Sequence, residues 1–204
     1  MGPRLPQLLI VVLVRVKVRF SEGRLWAEGE ELLDFWRAAG AEGEWFAQRG
    51  AFDRHLRERF LPLHEEAAAG ALDAWSERPE GALALLILLD QFPRNAFRGT
   101  PRMYQSDALA RRYARKSLHN DHIEAVESDL RLFFALPFSH SENLADQEVS
   151  LVLNRRLGEP WLSHARGHYE IIRRFGRFPH RNEILGRESS RQELAFLRNG
   201  GFAG

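Results

Sequence analysis

At 204 residues the chain is long enough to bury a core and suits one domain or slightly more. Its 44% apolar and 28% charged residues are ordinary for a soluble globular protein, and a net charge of +1 argues against a polyanion as main partner. The absence of cysteine excludes disulfides, a thiolate nucleophile and cysteine-ligated zinc, and fits a cytoplasmic bacterial protein.

Residues 1 to about 25 read as foreign to the rest of the chain. Leu8 to Val14 is an apolar run too short to span a bilayer. It is also a poor signal peptide, with only Arg4 before it and no small-residue cleavage site after it. Val14, Val16, Val18 and Phe20 then alternate with Arg15, Lys17 and Arg19, a strand pattern that no other stretch could pair with. The expectation is an extension over residues 1–27, from upstream translation or as a loose arm, followed by a single domain over 28–204.

From Gly29 onward the pattern is helical. Leu32, Leu33, Phe35 and Trp36 form an apolar stripe, which Gly40 and Gly43 should end. Phe52 to Ala69 predicts a longer helix with Leu56, Phe60 and Leu63 on one side, kinked or divided at Pro62 and stopped at Gly70. Ala71 to Ser76 is a short helical turn, and Pro79 opens the next helix at a position where a missing N–H costs little.

The next stretch, Gly81 to Asn95, is the centre of the chain. Ala82 to Leu89 is apolar all round, as in the middle of a fold, and polarity switches at once at Asp90. Leu85, Leu88, Leu89 and Phe92 keep one helical face across the switch, and the alanine content favours helix over a buried strand. Thr100 and Pro101 then read as cap and first residue of a helix. Asp107 to Leu118 is a helix, His119 to Glu127 a loop, and Leu130 to Leu136 a core helix ended by Pro137. Ser139 and Glu142 have capping-box spacing before a helix over Leu144 to Leu157, and Trp161 to Phe175 is a well-patterned helix left through Gly176 and Pro179. Ser190 and Glu193 form a second box before a short last helix. Helices with short connections and no sheet predict an all-α domain of antiparallel helix pairs.

Three segments place polar residues beside proline or glycine at helix ends: Asp90-Gln91-Phe92-Pro93-Arg94-Asn95, Pro137-Phe138-Ser139-His140-Ser141-Glu142, and Arg174-Phe175-Gly176-Arg177-Phe178-Pro179-His180-Arg181-Asn182. With Arg98-Gly99-Thr100-Pro101-Arg102 and Asn143-Leu144-Ala145-Asp146-Gln147-Glu148, they resemble the signature stretches of the bacterial family labelled domain of unknown function 924, from about Leu32 to Phe202. The resemblance implies a tetratricopeptide-like α–α superhelix and no established activity. Asp90, Gln91, Arg94, His140, Glu142, Asp146, Gln147, His168, Arg177, His180 and Arg181 match its motifs. Residues 1–27, Met103-Tyr104 and His119 to Ser128 look specific to this chain.

The same residues admit a structural reading and a functional one. Asp90 and Arg94 attract at i, i+4 and would hold the helix end, or face a site. Arg177 and Arg181 suit a carboxylate or phosphate, but equally helix carbonyls or the acids at Asp146 and Glu148. His140, His168 and His180 suit hydrogen-bonded structural roles or ligand contact better than metal binding, and His164 with His168 lacks the glutamate of the zinc pattern. There is no nucleophile elbow and no glycine-rich phosphate loop. Without a basic patch near the tryptophans, nucleic acid is not an expected partner, and neither is a membrane. The favoured function is a binding module whose groove takes a peptide or a small anionic ligand, with Asp90, Gln91, Arg94, His140, Asp146, Gln147, His168, Arg177, His180 and Arg181 as binding residues. The alternative is a hydrolase-type enzyme, with or without an assisting metal, in which His140 or His180 is the acid–base and Asp90, Glu142 or Asp146 orients it. A third reading has the motifs only locking helix pairs together. No cofactor is expected, and the sequence leaves the oligomeric state open.

Overall fold

A computed structural model describes residues 26–47 and 50–202, and every described element is helical. The strand pattern at Val14 to Phe20 and the extension reading lie outside these residues. The chain divides into compact units at 1–47 and 48–204. In the first, helix α1 runs over 26–41 and buries Leu32, Leu33 and Trp36. Gly40 lies inside it rather than ending it. A Cβ there would sit 2.2 Å from the Trp45 ring, which stacks on Trp36 and donates its indole N–H to the Trp36 carbonyl at 2.7 Å. The chain leaves the helix through Gly43, at φ 71°.

In the second unit, α2 (Gly50–Ala68) packs its buried face, Leu56, Phe60, Leu63, His64 and Ala67, on the central helix. Pro62 does not divide α2. It and Glu58, whose carbonyl loses a donor, are both on the exposed side, where water replaces the missing bond. Gly70 ends this segment at φ 79°. After a 3₁₀ turn at Asp73–Glu77 comes α3 (Pro79–Leu86), buried on every side from Gly81 onward. Gly81 is required by close approach: a Cβ would lie 2.3 Å from the Trp75 carbonyl oxygen.

The central helix then does what its periodicity did not predict. Ile87–Gln91 is a π-helical turn, with Phe92 N–H bonded five residues back to Ile87, and the chain continues as α4 (Phe92–Ala96). Pro93 has no N–H to offer, so carbonyls here depend on side chains. His64 Nδ1 donates to Leu88 O at 2.8 Å, Ser106 Oγ to Leu89 O at 2.6 Å, and Arg94 Nη1 to Asp90 O at 2.6 Å. The His64 ring stacks on Phe92 with centroids 4.8 Å apart.

Beyond it, Thr100 is extended and turns its hydroxyl back to Phe97 O at 2.8 Å rather than capping, and Pro101–Tyr104 is only a 3₁₀ turn. Helix α5 spans Asp107–His119, a 3₁₀ turn at His122–Ala125 lies in the expected loop, and a second at Ser128–Leu130 takes the expected start of the next helix. Helix α6 (Leu132–Ser139) runs through Pro137, because a proline removes only its own donor: His140 N–H still reaches Leu136 O at 2.9 Å. The next cap is Asn143, accepting from Ala145 and Asp146 N–H, and not the Ser139–Glu142 box. Ser139 is inside α6, and Glu142 is engaged elsewhere. Helices α7 (Leu144–Leu157) and α8 (Trp161–Phe175) pack along each other across a short connection, and α7 also packs on α6. Gly176 caps α8 at φ 68°. The Ser190–Glu193 box is present at the start of α9 (Arg191–Arg198). The tetratricopeptide-like superhelix implied by the family goes beyond these pairwise packings.

Candidate functional site

The π turn aims Asp90 inward, where it is 1% exposed. Three side chains meet it. His140 Nδ1 donates to its two carboxylate oxygens at 2.9 and 3.0 Å, and Gln91 Nε2 donates at 2.5 Å. Arg94 lies 3.3 Å away as an ion pair and also grips Asp107 through two bonds of 2.9 and 3.1 Å. Burial alone would raise the Asp90 carboxyl, but the charge of Arg94 and the hydrogen bonds from His140 and Gln91 hold it below the usual carboxylate range. Burial and Arg94 push His140 down from its usual value as well, against the pull of Asp90. His140 is therefore neutral near pH 7, with its proton on Nδ1 and a lone pair on Nε2.

Arg181 stands beside this network, on the 3₁₀ turn Pro179–Arg181, and is only 6% exposed. Its guanidinium lies 4.6 Å from the Tyr104 ring and 4.4 Å from the Phe178 ring. The nearest carboxylate oxygen, on Asp107, is 3.8 Å away and already bonded by Arg94. Arg181 Nε has no partner, and among the described residues the guanidinium donates no hydrogen bond. Burial, then the like charge of Arg94, push its pKa down to about 10, and Asp107 does not offset them.

Two more imidazoles complete the cluster. His168 on α8 meets Phe178 edge-on at 5.3 Å, and Phe202 packs against both His168 and His180, at 4.8 and 5.1 Å. Burial carries His168 down to about 3 and His180 to about 4, and the charges of His140 and Arg181 add to both shifts. Both rings also meet Phe178, at 5.3 and 5.6 Å, the ring on which Arg181 lies. Their Nδ1 atoms are buried without partners. His140, His168, His180 and Tyr104 are each partly open to solvent. Among the described residues no histidine and carboxylate group is arranged to hold a metal ion.

The remaining motif residues are engaged with protein. Glu142 accepts the Phe178 N–H at 2.8 Å and both ends of the Arg187 fork at 2.6 and 2.9 Å. Asp146 is bonded by Arg115, by Ser141 at 2.7 Å, and paired with Arg111 at 3.6 Å. Gln147 donates to the Ser139 and Ser141 carbonyls at 2.8 and 2.7 Å, tying the end of α6 to α7. Arg177 grips Glu193 at 2.6 and 2.9 Å and the Glu188 carbonyl at 2.8 Å. The motifs near 90, 140 and 180 thus meet in space.

The sequence that builds this cluster matches the model of a family described as bacterial protein of unknown function, DUF924, over residues 32–201. The chain belongs to the DUF924 family. A solved structure of a protein of unknown function from Agrobacterium tumefaciens is similar at 49% identity and a TM-score of 0.83, over 85% of this chain and 98% of that one. No curated protein matches the chain. Within this DUF924 domain, no described helix is long and apolar enough to cross a membrane.

Sequence reasoning missed Tyr104, Asp107 and Phe178, which flank or face Arg181, and Arg187 and Glu193, which occupy Glu142 and Arg177. Apart from Phe178, each meets its partner more than nine positions away in the chain, so local spacing carries no signal for it. Tyr104 sits in a dipeptide set aside as peculiar to this chain. An aromatic just before a helix start, beside arginine motifs, was the one available hint.

Proposed function

We propose that this DUF924 domain is a binding module for a small organic anion, a carboxylate or phosphate, anchored on Arg181. The observation that carries the reading is a buried guanidinium held between two aromatic rings with no hydrogen bond made. A buried positive charge with unmet donors is costly, and an incoming anion supplies the acceptors at full charge. Asp107 does not serve, because its nearer oxygen lies 3.8 Å away, beyond hydrogen-bond reach. The walls favour a ligand with an aromatic or apolar body: Tyr104 and Phe178 flank the anchor, and Phe202 covers His168 and His180. Arg94 and Arg177, expected to share the grip, are already paired with Asp90, Asp107 and Glu193, so the anchor falls to Arg181.

Titration calorimetry with benzoate and phenyl phosphate tests this reading. Binding of at least one is expected, weakened tenfold or more in Arg181→Gln, since a charged hydrogen bond contributes about 1.5–3 kcal/mol. Thermal melting verifies that the variant is folded. Failure of both anions to bind at millimolar concentration, or equal affinity for the variant, overturns it.

A further inference from the structure

We propose that His140, oriented by Asp90, is a general base that hydrolyses a small carboxylic ester anchored on Arg181 by a separate carboxylate or phosphate. The proposal rests on the anion-site reading and adds a reaction to it. Asp90 accepts the Nδ1–H of His140, which fixes the tautomer and leaves the lone pair on Nε2. No protein group bonds Nε2 among the described residues, and the side chain is 17% exposed, so water reaches it. Asp90 cannot swing away, because Gln91 donates to it and Arg94 binds both its side chain and its carbonyl.

Arg94 links the base to the anchor: it pairs with Asp90, which holds His140, and binds the Asp107 oxygen that lies 3.8 Å from Arg181. His168 and His180 each feel the charges of His140 and Arg181, and both stay neutral at pH 7, so neither repels an imidazolium formed at His140. The nucleophile is water. The two serines beside His140 are committed: Ser141 Oγ donates to Asp146 at 2.7 Å, and Ser139 Oγ bonds Ala135 O at 3.3 Å and Ser150 at 2.6 Å. In the step itself, water gives a proton to Nε2 as its oxygen bonds the ester carbonyl carbon. The adduct collapses, the carbon–oxygen bond to the alcohol breaks, and the imidazolium returns the proton to the departing oxygen. An acid and an alcohol result, nothing is oxidised, and Asp90 stays ionised throughout.

The test uses 4-acetoxybenzoate, 4-acetoxyphenyl phosphate and the uncharged 4-methylphenyl acetate, with benzoate and phenyl phosphate binding followed in parallel. Wild type is expected to hydrolyse one charged ester about 10²–10⁴-fold faster than His140→Gln, which keeps its anion affinity and so is folded. Arg181→Gln should raise KM for that ester, and wild type should turn over the uncharged one only at a higher KM. The groups facing His140 are Asp90, Arg94, Asp107, His168 and His180. The base works only when unprotonated, so the rate falls as pH drops through its lowered pKa, below 6.5. Asp90→Asn removes the one strong raising influence: the plateau rate should fall and the acid limb move to lower pH. A merely structural pairing would show neither change. Which charged ester is turned over distinguishes carboxylate from phosphate anchoring. Anion binding without hydrolysis above the His140→Gln rate overturns the proposal and leaves the anion site standing. Hydrolysis that survives His140→Gln also overturns it, whereas absent anion binding overturns the site beneath it.

Discussion

At the scale of single residues, the site is built from histidines that the fold keeps uncharged. His64, His140, His168 and His180 are all lowered from their ordinary value, with burial the largest cause in each. The unfolded chain takes up these protons near pH 6.5 and the native one only at lower pH, about 3 for His168 and about 4 for His180. Stability due to them is therefore complete above pH 6.5 and drains away as pH falls below it, at about 1.4 kcal/mol per pH unit for each fully shifted group. Lowered carboxylates such as Glu142 and Glu193 lose their contribution only below pH 4.5, so the window from 6.5 to 4.5 belongs to the histidines. Melting temperature is expected to decline across that window, and His168→Gln to shallow the decline. A flat profile there would mean the imidazoles are not desolvated. His140, His168 and His180 were legible as candidates from their motifs. The neutrality of His168 and His180 was not, because it comes from packing against Phe178 and Phe202, which no local pattern announces.

At the scale of elements, most helices follow from their apolar period and end signals. The Trp161 to Phe175 helix agrees to the residue, since its stripe and Gly176 agree. Disagreements arise where a local rule meets tertiary support. Pro62 and Pro137 remove donors the helices can lose, and Asn143 replaces Ser139 as cap because Ser139 is still helical. The π turn is the clearest case: nothing in ILLDQ marks it, and side chains from other elements stabilise it. Ser106→Ala strips Leu89 O of its donor in a buried place and should cost about 1–3 kcal/mol in denaturant unfolding. Leu88→Ala, which empties core volume beside it, should cost about 2–5 kcal/mol. If the serine variant lost nothing measurable, the turn would not depend on outside donors.

At the scale of the molecule, the 48–204 unit is stitched by charged residues far apart in sequence. Glu142 alone joins the α6–α7 corner to Phe178 and Arg187, and Glu193 holds Arg177 and its own helix cap. Glu142→Gln should leave the helices intact while speeding amide exchange at Phe178, measured by mass spectrometry or NMR. Unchanged exchange there would show that Glu142 does not hold the segment. An all-helical fold could be read from the sequence because helices are local. The site could be read only as a set of candidates, because its division into gripping, orienting and saturated groups depends on which distant partners arrive. One consequence of the widened turn concerns phase. An extra residue in a helix leaves its axis in place but rotates everything after it by about 100°. A chain shortened by one residue between Ile87 and Gln91 would keep its hydrophobic ridge on one side of that step and swing the other away. The carboxylate would then no longer face the imidazole across from it. Whether a related sequence has the site can thus be decided by counting residues there, even where every side chain is the same.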